Sequence, residues 1–222
     1  MSEANDDLMA IVFDLGGVLV DWDPRHLYKK LIADDPDFVE WFLSNICTPE
    51  WNAKQDAGRP FAEAVAELSS QHPDYENLIS AFHIRWEEMV TGAIEPTVAI
   101  LAELRRAGYP LYALSNWSAE TFALMRDRLD FLGWFRTVII SGEARMIKPE
   151  PEIYYLLLSA IGRPAGECLF IDDSLPNVLA ARDLGFNVIH FQSPESLRGE
   201  LERMGIHTGS QEARQSTPDS QS

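Results

Sequence analysis

Short apolar segments that end in polar residues alternate with helical segments along most of the chain, and this alternation constrains the fold more than any other feature. From residue 94 onward the apolar segments have the length of buried strands, and the residues between them show helical spacing. The predicted strands lie at residues 9–13, 111–114, 138–140, 168–171 and 188–191. The predicted helices lie at residues 97–107, 120–129, 152–161 and 178–184. Strands that alternate with helices predict an α/β fold with a doubly wound parallel sheet, covered by helices on both faces.

Residues 22–92 interrupt this alternation and have the pattern of helices alone. Asp23-Pro24 and Thr48-Pro49 are typical helix starts, in which a capping side chain is followed by proline. Apolar residues follow at helical spacing, namely Leu27, Leu31, Phe61, Ala64, Val65 and Leu68. A further apolar stretch contains Leu78, Phe82, Ile84, Trp86 and Met89. We therefore predict a helical insert directly after the first strand, and a ligand cleft where the insert meets the sheet.

This change of pattern sets the predicted domain boundaries. The sheet and its helices are expected to form a discontinuous Rossmann-like core from residues 9–21 and 93–206, with the helical insert between the two parts. Residues 1–8 are acidic, and residues 207–222 contain alanine as their only apolar residue. Both ends are therefore predicted to be disordered.

Charge and cysteine content exclude several classes of protein. The chain has 35 acidic and 18 basic side chains and a net charge of −17, so it repels nucleic acid and anionic lipid surfaces. Cys47 and Cys168 lie outside any Cys/His cluster, which predicts two inert, buried thiols in a reduced cytoplasmic setting rather than a zinc site. The first residues have neither the basic segment of a secretory signal nor a stretch long enough to span a membrane.

Two strand ends offer parts of an anion site. Asp14 follows the first strand, and Gly16 and Gly17 let the backbone turn so that N–H groups approach an anion. Ser115 and Asn116 follow the second strand, where a hydroxyl group and the start of a helix also favour an anion. The alternatives are an ordinary aspartate in a loop and a routine helix cap.

Two further segments offer a cation and a metal site. Lys148 lies among apolar residues and prolines, so its ammonium group is expected to be fixed, although solvated lysines are common. Asp172 and Asp173 follow an apolar strand and repel each other unless a cation lies beside them. Oxygen ligands without histidine or cysteine favour Mg²⁺. Together the four segments supply what phosphoryl transfer through an aspartyl-phosphate requires.

The segments FDLGGVL, LSN, KPEP and FIDDS stand in the order of the motifs of the haloacid dehalogenase-like hydrolases, which the chain resembles over residues 9–205. The helical insert lies where the first type of cap of that superfamily lies. Within the superfamily the chain is most similar to the small-cap branch that contains sugar-phosphate phosphatases, including those acting on glucose 1-phosphate. The resemblance implies a Mg²⁺-dependent phosphatase whose partner is a small phosphorylated molecule, such as a hexose phosphate.

The resemblance also implies roles for the residues of the four motifs. Asp14 would be the nucleophile and a Mg²⁺ ligand, and Lys148 would span the phosphate and the nucleophile. Ser115 and the backbone at Asn116 would bind the phosphoryl oxygens. The remaining Mg²⁺ ligands implied by the resemblance are the backbone carbonyl of Gly16, the carboxylate of Asp173, and the carboxylate of Asp172, which would bind directly or through water.

Residues outside these positions are expected to assist them. Asn177 would support the loop that carries the acidic pair. In the insert, Trp51, Asn52 and Gln55 would select the leaving group, although Trp51 is equally suited to a core.

Gly16 departs from the pattern of the family, whose phosphatases usually carry there a second aspartate that acts as general acid and base. Such help is typically worth about 10²- to 10⁴-fold in rate, so a substitute such as Asp21, Asp23 or metal-held water is needed. A non-catalytic protein that binds phosphate esters is one alternative function. A 2-haloacid dehalogenase is another, although Gly16 and the pair Asp172-Asp173 stand where that class has an aromatic residue and Ser-Asn.

Overall fold

The computed structural model describes residues 8–33 and 35–206 and has a five-stranded parallel sheet at its centre. The sheet has the order β5-β4-β1-β6-β7, and each neighbouring pair is parallel. Its strands are β1 (Ala10–Phe13), β4 (Leu111–Ser115), β5 (Thr137–Ile140), β6 (Cys168–Asp172) and β7 (Asn187–His190). The predicted α/β fold with a doubly wound parallel sheet is therefore confirmed.

Helices cover both faces of the sheet because successive strand residues point to opposite sides. Ile11 and Phe13 belong to one hydrophobic core, and Ala10 and Val12 belong to the other. All four residues of β1 are fully buried, as expected for the central strand of a sheet covered on both faces. The helices that follow residue 93 are α6 (Glu95–Arg106), α7 (Ala119–Met125), α8 (Ser141–Ala144), α9 (Pro151–Ile161), α10 (Leu175–Asp183) and α11 (Pro194–Arg203).

Five helices lie between two short strands that the sequence did not predict. The helices are α1 (Arg25–Leu31), α2 (Pro36–Asn45), α3 (Pro49–Asp56), α4 (Phe61–Gln71) and α5 (Glu76–Ile84). They are bounded by β2 (Val20–Trp22) and β3 (Val90–Ala93), which form an antiparallel ribbon. The expectation that residues 22–92 are purely helical is therefore wrong at both ends. Where the chain leaves the sheet and returns to it, the two backbone segments satisfy each other's hydrogen bonds.

Helix starts and buried positions within this insert agree with the sequence in part. The Thr48 side chain accepts a hydrogen bond from the Trp51 N–H group and caps α3, as predicted. Asp23 instead accepts from the Arg25 N–H group, and α1 begins at Arg25 rather than at Pro24. Ile84, which belongs to the last apolar stretch of the insert, is the last residue of α5 and is 79% exposed.

Both cysteines are free and buried, as predicted. Burial raises the pKa of Cys47 to about 12 and that of Cys168 to about 11. Among the described helices, none is long and apolar enough to cross a membrane. The tails predicted to be disordered, apart from Leu8, lie outside the described residues.

Candidate active site

The candidate site forms where the carboxyl ends of β1, β4 and β6 meet. Phe13 is in register with Ala113 of β4 and with Ile171 of β6. Asp14, which follows Phe13, therefore lies beside Asp172, the last residue of β6, and is displaced by one position from Ser115, the last residue of β4. The Asp14 N–H group donates to the carbonyl of Ile171 at 2.9 Å, which continues the ladder by one residue. The parallel sheet therefore brings Asp14, Ser115 and Asp172 to one edge, the usual ligand position in such sheets.

Lys148 lies buried between two of these carboxylates. Its Nζ atom is 3.0 Å from Oδ2 of Asp14 and 2.6 Å from Oδ2 of Asp172, and its side chain is 0% exposed. The same ammonium group donates to the carbonyl of Leu114 at 2.9 Å. Burial acts to lower the pKa of Lys148, but Asp14 and Asp172 outweigh it and hold the pKa above the usual range. The lysine is thus a fixed cation rather than a solvated one.

Asn116 holds the backbone of Lys148 in place. Its Oδ1 atom accepts from the Lys148 N–H group and its Nδ2 atom donates to the Lys148 carbonyl, each at 2.9 Å. A side-chain amide that both donates to and accepts from one residue fixes that residue tightly. The sequence suggested a role only for the backbone of Asn116, and the side chain's part in positioning Lys148 was missed.

Asp172 accepts further hydrogen bonds in addition to its ion pair with Lys148. Its Oδ1 atom accepts from the Ser174 N–H group at 2.8 Å, and both carboxylate oxygens lie 3.1 Å from Nδ2 of Asn177. Asn177 lies in the first turn of α10, so it links that helix to the end of β6. The side chain of Asp172 is 0% exposed, and its Oδ2 atom faces the ammonium group of Lys148.

Asp14, Asp172 and Asp173 each contribute an oxygen to a group whose ligand atoms all lie within 4.8 Å of one another. Burial raises the pKa of Asp14 to about 7; Lys148 opposes this, while Asp172 and Asp173 add to it. Burial, followed by the Asp172 charge, also raises the pKa of Asp173. Three carboxylates facing one ammonium group leave an excess of negative charge. Hard oxygen donors and this charge fit a divalent cation such as Mg²⁺.

Gly17 has the conformation and the surroundings that require glycine, whereas Gly16 does not. Gly17 has φ = 72°, and a Cβ atom there would overlap Oδ2 of Asp173. At Gly16 a Cβ atom would meet nothing within 4 Å, and the backbone is not in the left-handed region. The close approach of the loop to Asp173 therefore depends on Gly17.

Replacing Gly17 with alanine is expected to weaken Mg²⁺ binding at least about tenfold, because the new methyl group turns the Asp173 carboxylate away from Asp14 and strains a left-handed backbone. Gly162→Ala is the matched control, since Gly162, directly after α9, has a similar left-handed backbone (φ = 73°) but open space around it. The measurement is the rise in Tm on titration with Mg²⁺, which follows the occupancy of the site. Equal Mg²⁺ responses of the two variants would contradict this role of Gly17.

Two cavities open beside these residues. The larger, of about 710 Å³, is lined by residues that include Lys148, Asp173 and Asn52. The smaller, which we call the recess, has a volume of about 60 Å³. The recess is lined by Gly16, Trp22, Asn52, Asp56, Trp86, Asn116 and Trp117. Trp22, Asn52, Asp56 and Asn116 line both cavities, which places the recess next to the larger cavity.

Of the three insert residues expected to select the leaving group, only Asn52 lines these cavities. Trp51 instead packs edge-on against Phe61 and Phe82, and Gln55 is fully buried with its Nε2 atom donating to the Trp51 carbonyl. Both side chains therefore belong to the core of the insert. Because α3 has no pronounced apolar face, its sequence does not distinguish positions that face the core from positions that face the cleft.

Asp56 is the residue of the cleft that the sequence did not predict. It ends α3, and its carbonyl accepts a hydrogen bond from Oγ of Ser141 at 2.6 Å. Its carboxylate accepts from Nδ2 of Asn52 at 2.9 Å and from the Ser118 N–H group. The segment WNAKQDAG contains this aspartate four residues after Asn52, on the same face of a helix, and that spacing was the available signal.

The model of the family described as haloacid dehalogenase-like hydrolase matches residues 8–185, and the chain belongs to this family.

Curated relatives and a solved structure extend this similarity. The chain is 27% identical over 198 residues to the sesquiterpene phosphatase astK of Aspergillus oryzae, a match that covers 88% of this chain and 95% of the relative. It is 29% identical over 190 residues to a phosphoglycolate phosphatase of Photorhabdus laumondii, covering 80% and 77%. The fold matches that of the family enzyme BT-2542 of Bacteroides thetaiotaomicron, solved with magnesium and inorganic phosphate. That match has a TM-score of 0.62 and 24% identity, and covers 83% of this chain and 94% of the other.

Proposed function

We propose that this chain is a Mg²⁺-dependent phosphatase that hydrolyses a small phosphomonoester, such as a hexose phosphate, through an aspartyl-phosphate intermediate. The observation that carries the proposal is the position of Lys148, whose ammonium group contacts Asp14 and Asp172 at the end of the sheet. The phosphatase names of two relatives and the Mg²⁺ and phosphate bound to BT-2542 support it. Two free, buried thiols support a reduced cytoplasmic setting.

In the proposed reaction a carboxylate oxygen of Asp14 attacks phosphorus, and the bond from phosphorus to the leaving oxygen breaks. Water then attacks the aspartyl-phosphate, which releases inorganic phosphate and restores Asp14. Lys148 balances the charge of Asp14 and of the phosphoryl group. Ser115 and the backbone at Asn116 bind phosphoryl oxygens. Mg²⁺, held by Asp14, Asp172, Asp173 and the carbonyl of Gly16, would supply further positive charge to those oxygens.

The acidic pair separates this proposal from a dehalogenase. Asp172 and Asp173 converge with Asp14 on a site suited to a cation, which a dehalogenase that uses no metal does not need. The Gly16 position also lacks the aromatic residue of that class. We therefore favour phosphate esters over halogenated acids as substrates.

Phosphate release from a panel of sugar phosphates, glycerol phosphate and p-nitrophenyl phosphate tests the proposed function. We expect release with Mg²⁺ and a loss of at least about 100-fold when a chelator removes the metal, because charge stabilisation by the metal is worth several kcal/mol. Ranking the substrates by their rate of phosphate release would then identify the substrate class. Binding of phosphate esters without release would instead indicate a non-catalytic protein. Chloride release from a 2-chloro acid without metal would indicate a dehalogenase.

A further inference from the structure

We propose that Asp56, at the end of α3, is the general acid and base of this enzyme, and that its carboxyl group serves the reaction from the recess beside Gly16. This inference rests on the proposed phosphatase function. It assigns to the helical insert a catalytic residue that the loop after β1 does not contain.

The proposed reaction needs a proton donor that the known parts of the site do not provide. When the bond from phosphorus to an alcohol oxygen breaks, the electron pair stays on that oxygen, which then takes a proton. Gly16 and Gly17 have no side chain that could supply it. Lys148 is held between Asp14 and Asp172 as a charge-balancing group.

The two aspartates considered from the sequence are occupied elsewhere. Asp21 accepts a hydrogen bond from the Thr91 hydroxyl group and contacts Nε2 of His26 at 3.2 Å. Asp23 accepts from the Arg25 N–H group at 2.8 Å. Neither aspartate lines the recess or the larger cavity. Asp56, by contrast, lines both cavities, together with Gly16 in the first and with Lys148 and Asp173 in the second.

The surroundings of Asp56 suit a group that gives and takes a proton. Within the described part of the chain its carboxylate forms no salt bridge, and Asn52 and the Ser118 N–H group orient it. Burial raises the pKa of Asp56 to about 7, although the Ser118 N–H group acts to lower it. A carboxyl group with such a pKa holds a proton in a useful fraction of molecules near neutral pH.

Two polar atoms of recess residues indicate what would lie beside Asp56. Nε1 of Trp22 and Oδ1 of Asn52 are buried, and neither has a hydrogen-bond partner among the described residues. Buried polar groups are normally satisfied, so an unpaired donor and an unpaired acceptor at one place favour a ligand that offers both. A hydroxyl group does so. We therefore expect a hydroxylated leaving group here, with its bridging oxygen toward Asp56.

Asp56 ends the two steps in the protonation state in which it began. In the first step Asp56 gives its proton to the leaving oxygen as the phosphorus–oxygen bond breaks, and it becomes a carboxylate. In the second step that carboxylate takes a proton from the attacking water, whose oxygen forms the new bond to phosphorus while the bond from phosphorus to the Asp14 oxygen breaks. Inorganic phosphate leaves, and Asp14 and Asp56 return to their starting states.

Asp56→Asn tests the proposal, because the amide keeps the size of the side chain and an acceptor for the Ser118 N–H group. The leaving group of glycerol phosphate is a strongly basic alkoxide that needs a proton. The leaving group of p-nitrophenyl phosphate is a stable phenolate that does not. We expect kcat/KM for glycerol phosphate to fall by about 10² to 10⁴ and that for p-nitrophenyl phosphate to fall by less than about tenfold. A burst of nitrophenol before slow turnover is also expected, since the variant lacks the base of the second step.

Glu50→Gln is the matched control, because it makes the same change from carboxylate to amide in the first turn of α3. Glu50 is exposed and lines neither cavity. This variant should leave both activities unchanged and show no burst. An equal loss with both substrates in Asp56→Asn would overturn the acid–base role. The proposed function fails separately, if the wild-type protein with Mg²⁺ releases phosphate from neither substrate.

Discussion

Replacing Asp14 with asparagine is expected to reduce phosphate release by on the order of 10⁴- to 10⁶-fold, the scale on which the loss of a covalent nucleophile acts. The amide is a poor nucleophile, yet it matches the shape of the carboxylate and keeps an acceptor for the Leu15 N–H group, which lies 2.7 Å from Oδ1. Phosphate release with Mg²⁺ and mass spectrometry of the acid-quenched protein are the measurements. The phosphorylated form should be absent in the variant.

The stability of the Asp14→Asn protein provides the control for folding. In the metal-free wild type, burial raises the pKa of Asp14 to about 7, so the folded state disfavours the charged carboxylate. The neutral amide avoids this cost above neutral pH. We therefore expect the variant to unfold at a temperature no lower than the wild type at pH 8 in chelator. Turnover above about one-hundredth of the wild-type rate would rule out Asp14 as the nucleophile.

Replacing Lys148 with methionine is expected to lower the free energy of unfolding by about 3–5 kcal/mol in the absence of metal, because two buried carboxylates lose their cation. Asp14 and Asp172 both contact its Nζ atom, and the lysine side chain is fully buried. Methionine fills a similar volume without charge. The loss corresponds to a Tm lower by about 6–20 °C for a protein of this size.

Urea denaturation of the Lys148→Met protein in chelator measures this loss. Mg²⁺ should restore part of the stability, since a divalent cation can neutralise the carboxylates, but it should not restore turnover. Lys54→Met is the matched control, because Lys54 is exposed on α3 and its replacement should change the free energy of unfolding by less than about 0.5 kcal/mol. Equal stability of the two variants would show that the buried ion pairs contribute little.

The parts of the site that lie directly after strands could be predicted from the sequence. Asp14, Ser115 and Asp172 each follow a run of apolar residues, and parallel pairing alone brings such residues to one edge. The sheet itself was predictable for the same reason, since β1, β4 and β6 are buried along their whole length and consist largely of apolar residues.

The parts that depend on tertiary placement could not be predicted. The β2–β3 ribbon joins residues about 70 positions apart through strands of three and four residues, which are too short for a clear alternation. Asn116 acts on Lys148 only because the two loops meet at the sheet edge. Asp56 reaches the cleft because α3 packs over the sheet, and its own helix has no pronounced apolar face that would indicate the direction.

The bonds of Asp56 to Ser118 and Ser141 have a consequence for substrate choice. They join the end of α3 to the loop that follows β4 and to the helix that follows β5. The carboxyl group is therefore in place only while the insert packs closely against these two segments. A leaving group too large for the recess would hold α3 away and remove its own proton donor. Discrimination between substrates would then appear in kcat as well as in KM, because both the fit of the leaving group and its protonation depend on the packing of α3. An oversized ester would bind without efficient cleavage, whereas an ester that fits the recess would keep the Asp56 carboxyl group beside its leaving oxygen.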